Sequence, residues 1–171
     1  MADQNTIRTS TLRKSAHLFC QALLSPPPPK ELISKYFTSN PQITEHGPTW
    51  ATSRLPFLGK TFSGVDGSVE YFNVLSETLK MNMTEDTFPG PEGFIVDIVD
   101  AQATTPDMAS SKGSAKGVVS VVGQATFSSV KTGKSWDEKF IYRLSGFDSE
   151  GRIGHWEIWA DPLSAWDAVG G

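Results

Sequence analysis

The sequence of 171 residues has little of three features that would point at once to a protein class. A single cysteine, Cys20, excludes a disulfide within the chain and is compatible with a reducing compartment. The net charge of −4 argues against nucleic-acid binding, because proteins that bind nucleic acid usually present a basic surface. No apolar run approaches the roughly 20 residues that span a bilayer, and the polar N-terminus lacks a secretory signal pattern. We therefore expect a cytoplasmic protein that binds neither nucleic acid nor membranes.

Sequence motifs for cofactors are also missing. The sequence has no metal-ligand spacing, no glycine loop that would cradle a phosphate, no Ser/His/Asp order of a hydrolase and no internal repeat. We therefore expect no metal and no cofactor. Function has to be inferred from where acidic and aromatic side chains fall within the predicted strands.

The segment 134–162 is the most informative part of the chain, and it predicts two strands joined by the turn 146–151. Successive side chains of a strand point to opposite faces. One face of the first strand is therefore apolar except for one acid, and it carries Trp136, Glu138, Phe140, Tyr142 and Leu144. The return strand has an apolar face with Trp156, Ile158 and Ala160, and an opposite face with His155, Glu157 and Trp159. A carboxylate among aromatic side chains indicates a pocket.

The order of the remaining elements predicts the fold class. Two helices come first, with four prolines (Pro26–Pro29) between them, and a strand follows at Pro41–His46. A third helix begins near Ser63 or Asp66, and strands at about 81–87, 94–102 and 117–129 lead to the final hairpin. We expect an α+β protein in which a curved antiparallel sheet wraps around three helices on its inner face.

The chain length is that of one domain, covering residues 1–171. The terminal segments 1–8 and 167–171 are expected to be frayed tails. Residues 103–117 lack periodicity and are rich in Ser, Thr, Gly and Ala, so they predict a flexible loop within the domain.

Two sequence segments resemble a known superfamily. The first runs from Leu55 to Gly64 into the helix with Phe72, and the second comprises Gly151–Ile153 and Trp156–Asp161. In order and spacing they are similar to the nuclear-transport-factor-2-like superfamily, and within it to the SnoaL-like branch, over roughly residues 10–166. The resemblance implies a cone-shaped sheet with a deep apolar internal pocket, a dimer and no cofactor. The superfamily includes ketosteroid isomerase, polyketide cyclases, scytalone dehydratase and limonene epoxide hydrolase, besides members without catalysis, so the fold alone does not fix the function.

The resemblance also excludes one activity. At the positions that match the Arg and two Asp residues of the epoxide hydrolases, this chain has Gly123, Ala125 and Ile158. The catalytic sets of the dehydratase and the isomerase have no full match either. The expected chemistry therefore depends on acids of this chain's own.

Glu138, Glu45 and Tyr142 are the candidate catalytic residues. A carboxyl group in an apolar pocket has its pKa raised by desolvation, and two that share one cavity raise each other's further, so each can move a proton near neutral pH. The structural alternative pairs Glu138 with a buried arginine, a backbone amide or a tyrosine. A slip of one residue would turn His46 inward in place of Glu45. Tyr142 could donate a hydrogen bond to a developing oxyanion, as could Tyr71.

Aromatic and aliphatic residues on the same faces are the candidate substrate-binding residues, although each could equally be plain core. They are Trp50, Tyr71, Phe127, Trp136, Phe140, Trp156 and Ile158.

The sequence favours a cofactor-free enzyme, an isomerase, cyclase or dehydratase of secondary metabolism, that acts on a hydrophobic polycyclic or polyketide-like small molecule. The alternative is a binding or carrier protein that uses the same pocket without catalysis. Trp159 is too apolar to leave in water without cost, and it lies on the face opposite the pocket. We therefore expect a homodimer that packs through the sheet face carrying Trp159.

Overall fold

The computed structural model describes residues 3–98 and 117–170. Four α-helices lie in these ranges: α1 (Gln4–Ala22), α2 (Pro29–Tyr36), α3 (Gly64–Thr78) and α4 (Pro162–Val169). The strands are β1 (Phe37–Glu45), β2 (Thr61–Ser63), β3 (Leu79–Asn82), β4 (Ile95–Asp97), β5 (Val118–Ser129), β6 (Ser135–Ser145) and β7 (Ile153–Trp159). Short 3₁₀ turns occupy Thr49–Ser53 and Pro91–Gly93.

The seven strands form one sheet in the order β2-β1-β7-β6-β5-β3, and β4 also pairs with β5. Strands β5, β6 and β7 form the antiparallel meander that the sequence predicts. The expectation of a wholly antiparallel sheet is wrong, because β1 runs parallel to β7. A parallel pair needs a long connection, and these two strands have most of the chain between them.

Helices α1, α2 and α3 pack on the inner face of the sheet. Apolar residues at helical spacing along α1 are buried, and they comprise Leu12, Ala16, Phe19 and Cys20. Burial raises the pKa of the Cys20 thiol, which keeps it a protonated core residue. Trp156 of β7 packs edge-on against Phe19, with ring centroids 5.1 Å apart, and so joins the sheet to α1.

Both termini of the described chain are more ordered than the sequence suggested. Residues 4–8, expected to be part of a frayed tail, are the first turns of α1. Residues 162–169 form α4, a fourth helix where only three were expected, and Ala168 and Val169, assigned to a second frayed tail, are buried. The Asp161 carboxylate caps α4 by accepting a hydrogen bond from the Ser164 backbone N–H at 3.1 Å, and Pro162 occupies the first turn.

Two predicted strands differ from the observed ones. The strand expected at 81–87 lies earlier, at Leu79–Asn82, because Thr84 and Thr87 form a local turn through the Thr84 backbone N–H and the Thr87 hydroxyl. The strand expected at 94–102 is observed at Ile95–Asp97, and its predicted end lies outside the described residues. The loop predicted at 103–117 lies outside them too, except for Gly117. No helix in the described ranges is long and apolar enough to cross a membrane.

Candidate functional site: an acidic cavity inside the cone

A cavity lies between the concave face of the sheet and helices α3 and α4. The space inside it that can take the centre of a water molecule is about 40 Å³. Strands β1, β3, β5, β6 and β7, the loop at 55–58 and the start of α4 supply its walls. Carbon-rich side chains predominate among the lining residues, which are Glu45, Leu55, Phe57, Leu58, Tyr71, Leu75, Leu79, Met81, Phe127, Trp136, Glu138, Phe140, Tyr142, Ile158, Ala160, Asp161, Pro162 and Ala165.

Glu45 is the most deeply buried acid of the cavity. It is the last residue of β1, its side chain points to the concave face, and it is 7% exposed. The Tyr71 hydroxyl, on α3, donates a hydrogen bond of 2.8 Å to Glu45 Oε2. Burial raises the pKa of Glu45 to about 7, against the lowering effect of the Tyr71 hydrogen bond, and the charge of Glu138 adds to the rise. Glu45 can therefore both accept and release a proton near neutral pH.

Glu138 is the second acid of the cavity and lies on β6, opposite Ala125 of β5. It is partly buried, and the indole N–H of Trp136 donates a hydrogen bond of 2.7 Å to its Oε2. Desolvation raises the pKa of Glu138, the Trp136 hydrogen bond opposes that rise, and the nearby Asp161 carboxylate adds to it. The alternative partners expected for Glu138 were a buried arginine, a backbone amide or a tyrosine, and the partners observed are neutral: the Trp136 indole N–H and the Asp161 backbone N–H, which also lowers the Glu138 pKa.

Tyr142 is 4% exposed and lies four residues from Glu138, on the same face of β6. None of the hydrogen bonds observed among the described residues involves its hydroxyl, and the side chain lines the cavity. Burial raises the pKa of Tyr142 far above its ordinary value, and both glutamates contribute to the rise. The hydroxyl therefore stays protonated and is free to donate a hydrogen bond to a ligand oxygen.

The structure brings together most of the predicted substrate-binding residues. Tyr71, Phe127, Trp136, Phe140 and Ile158 line the cavity with the two glutamates. Trp156 shares their face of the sheet but lies behind the cavity wall, in ring contact with Tyr71 and Tyr142.

The structure places Trp50 away from the cavity. It is 62% exposed and packs edge-on against Trp166 of α4, with ring centroids 5.0 Å apart. The surrounding segment has no periodicity, so no sequence pattern predicts the direction in which Trp50 points.

The sequence did not identify the individual lining residues that come from the loop at 55–58 and from the last helix. Leu55, Phe57 and Leu58 close one side of the cavity, and Pro162 and Ala165 close another. The loop carries no strand or helix period that would have identified its inward residues. For α4 a signal was present, because Asp161, Pro162 and Ser164 form a helix start of the expected type.

The opposite face of the sheet carries a polar network. Glu157 of β7 accepts hydrogen bonds from the Arg143 guanidinium and from the His46 imidazole, the latter at 3.1 Å. The Trp159 indole stacks on the His46 ring, with centroids 4.1 Å apart and planes 10° from parallel. His46 therefore faces outward, and the alternative in which it replaces Glu45 in the pocket does not occur.

Metal binding finds no support in the described ranges, where no group of three or more His, Cys, Asp or Glu side chains could hold an ion. No protein-family model matches the chain, and no curated protein matches it.

Solved structures, in contrast, match nearly the whole chain. An NTF2-like protein of unknown function from Burkholderia pseudomallei K96243 is 18% identical, with a TM-score of 0.58 over 95% of this chain and 96% of that chain. A Bacillus subtilis protein provisionally named an isomerase is 14% identical, with a TM-score of 0.61 over 95% and 94%. A protein from Jannaschia sp. CCS1, provisionally named a SnoaL-like polyketide cyclase, is 12% identical, with a TM-score of 0.51 over 92% and 93%. These likenesses confirm the α+β cone of the NTF2-like fold.

Proposed function

We propose that this protein is a cofactor-free enzyme that moves protons on a hydrophobic, polycyclic or polyketide-like small molecule of secondary metabolism, as an isomerase, a cyclase or a dehydratase. One observation carries the proposal. Glu45, whose pKa burial raises to about 7, shares an apolar cavity with a second acid and with the unpaired hydroxyl of Tyr142. A base, an acid and an oxyanion donor in one water-poor site are the parts that such chemistry needs.

The first step fits Glu45. As a carboxylate it takes a proton from a C–H bond next to a substrate carbonyl, and the electrons of that bond move onto the carbonyl oxygen. The Tyr142 hydroxyl donates a hydrogen bond to the resulting enolate oxygen. Tyr71 holds Oε2 of Glu45 at 2.8 Å, which fixes the orientation of the base.

The second step fits Glu138. In its protonated form it delivers a proton either to a different carbon, which completes an isomerisation, or to a hydroxyl group that leaves as water, which completes a dehydration. Its raised pKa maintains a protonated fraction at higher pH than an ordinary glutamate would. Exchange with solvent then returns both acids to their starting states.

The similar structures support this reaction class without fixing it. Two of them are provisionally named an isomerase and a polyketide cyclase. Ligand pockets usually measure about 300–1,000 Å³. Only about 40 Å³ of this cavity can hold water centres, so the cavity must widen when a polycyclic ligand enters.

The test uses small ketones as proton-transfer probes, because the proposed reaction class can be tested without knowing the natural substrate. Wild-type protein is incubated with β,γ-unsaturated cyclic ketones and with 2-tetralone in D₂O. Conversion to the conjugated ketone is followed by ultraviolet absorbance, and deuterium uptake next to the carbonyl by NMR. We expect catalysis above the buffer rate in the wild type and its loss in Glu45→Gln.

The carrier alternative gives a different result. Probes that bind to the wild type but exchange no faster than in buffer would contradict the enzyme proposal and favour binding without catalysis. Lys80→Gln, at an exposed position of β3, serves as the control for handling and purity, and it should match the wild type.

A further inference from the structure

The charges that line the cavity all have one sign. Glu45, Glu138 and Asp161 are its ionisable acids, and none of the lining residues is a lysine, an arginine or a histidine. Asp161 remains ionised, because the hydrogen bonds from Ser164 lower its pKa. A ligand that carried a carboxylate or phosphate into this space would meet only repulsion.

The three acids also lack a positive partner within the protein. Glu45 is held by the Tyr71 hydroxyl, Glu138 by the Trp136 indole and Asp161 by Ser164, all of which are neutral donors. The ion pairs formed within residues 3–98 and 117–170 include none of the three. Glu138 and Asp161 interact with each other as like charges at one side of the cavity. Like charges that line one partly buried cavity without a cation are unfavourable, so a bound cation would stabilise this pair.

The walls beside this acid pair are aromatic. Trp136 and Phe127 stack with ring centroids 5.9 Å apart, and Phe140 packs edge-on against Phe127 at the same separation. The faces of such rings attract cations, tryptophan most strongly. Independently, the buried Tyr142 hydroxyl lines the cavity without a partner among the described residues, and its oxygen can accept a hydrogen bond from an N–H donor.

We infer that the ligand of this cavity is an apolar, ring-containing molecule that carries a protonated amine, held between Glu138 and Asp161 against the Trp136 indole. The inference rests on the proposed function and narrows its substrate class. The ammonium group supplies the positive charge that the protein does not, and the ring skeleton occupies the apolar interior. With the ammonium group bound, Glu138 stays ionised. For this class of ligand Glu45, deeper in the cone, therefore both takes the proton and returns it to the second atom, while Tyr142 donates to the oxyanion.

The experiment compares three probes that share a ring system and differ in charge: 2-naphthylmethylamine, 2-naphthylmethanol and 2-naphthoate. Affinities for the full-length protein are measured near neutral pH by isothermal titration calorimetry, with tryptophan fluorescence as a second readout. We expect the amine to bind at least about tenfold more tightly than the alcohol, since cation–aromatic and charge contacts in desolvated sites contribute on this scale. We expect no measurable binding of the carboxylate.

Variants locate the source of the preference. Glu138→Gln and Asp161→Asn each remove one charge with little change in shape, and asparagine still caps a helix. Each should reduce the preference for the amine to less than about threefold while the alcohol binds as before. Asp137→Asn is the matched control, because Asp137 lies on the outer face of β6 and bonds to Thr126. It changes the net charge equally and should leave the preference intact.

Two outcomes would overturn the inference, and they differ in what they imply. Equal affinities for the three probes, or a preference that survives both cavity variants, would exclude amine recognition and leave proton-transfer activity untouched. No binding of any probe at millimolar concentration would contradict both this inference and the use of the cavity as a small-molecule site. Circular dichroism of each variant separates these results from a failure to fold.

Discussion

Glu45 and His46 are neighbours in sequence, yet their side chains lie on opposite faces of the sheet. Glu45 points into the cavity and accepts a hydrogen bond from Tyr71, whereas His46 bonds to Glu157 on the outer face. This alternation fixes the register of the C-terminal part of β1 against β7, where Glu45 pairs with Ile158. Glu45 therefore lies on the side of the proposed chemistry, and His46, which stacks on Trp159, lies on the side of the expected subunit contact.

Glu138→Gln should retain the fold and the affinity for a neutral ligand while turnover falls by about 10²- to 10⁴-fold, the range typical of a positioned proton-transfer group. Glutamine keeps the hydrogen bond from Trp136 but cannot donate a carboxylic proton. Steady-state kinetics on a reactive probe ketone, with the melting temperature as the folding control, would measure this. Unchanged turnover would show that another group acts as the acid, and Glu45 would be the first candidate.

Tyr71→Phe should move the pH dependence of catalysis. The hydrogen bond from Tyr71 lowers the pKa of Glu45, so its removal raises that pKa above the present value of about 7. Activity that requires ionised Glu45 should then fall at neutral pH and recover at more alkaline pH. A pH–rate profile tests this, with Tyr36→Phe as the control, because Tyr36 packs against Phe19 and does not line the cavity. A uniform loss at every pH would indicate that the Tyr71 hydroxyl orients Glu45 without setting its pKa.

Glu45 should also give stability a pH dependence opposite in sign to that of a salt-bridged acid. Its pKa rises from an ordinary 4.5 to about 7 on folding, so the folded state binds the proton more tightly. Its contribution to the free energy of unfolding should therefore decrease as pH rises from about 4.5 to 7, by up to about 3 kcal/mol. Glu45→Gln removes this contribution, so the variant should gain stability over the wild type as pH increases across that range.

Urea denaturation of both proteins at a series of pH values measures the difference. The wild type has to be compared with Glu45→Gln because another group also titrates in this range. Burial lowers the pKa of His155, so the contribution of His155 to the free energy of unfolding increases with pH in both proteins. A difference between the two proteins that stays constant with pH would show that Glu45 titrates normally in the folded state.

Gly123→Ala should destabilise the protein. Gly123 lies on β5, and a Cβ atom there would overlap the Phe140 ring and approach Phe88 Cε1 to 3.0 Å. The rings have to move to accommodate it, and overpacking of this kind usually costs about 1–3 kcal/mol. Gly90→Ala is the matched control, because nothing lies within 4 Å of a Cβ at that position. Equal melting temperatures for the two variants would show that the aromatic wall is loosely packed.

Local alternation predicted much of the fold and part of the candidate site. The faces of β6 and β7 follow from side-chain direction alone, so Glu138 and Ile158 were assigned to the side on which they are found. Alternation predicts the face on which a side chain lies but not its depth. It therefore could not show that Trp156 lies behind the cavity, against Phe19. The parallel pairing of β1 with β7 joins segments about a hundred residues apart, and no local pattern encodes such a contact.

Trp159 supports the last prediction, a homodimer that packs through the outer face of the sheet. The side chain remains 40% exposed even though it stacks on His46. It pairs in register with Ile141, which pairs with Val122, and these two are 45% and 53% exposed. An apolar row across three strands is costly to leave in water, and two-fold symmetry would bring the same row from two subunits together.

Trp159→Glu should therefore produce monomers or insoluble protein, because it places a charge in that apolar row. Analytical ultracentrifugation at micromolar concentration measures the change. Leu163→Glu is the control: Leu163 is more exposed, at 71%, but lies on α4, and its substitution should leave the dimer intact. Sedimentation of the wild type as a monomer would contradict the prediction. The stack on His46 would then be the interaction that holds Trp159 in place, and Trp159→Glu would act on stability instead of assembly.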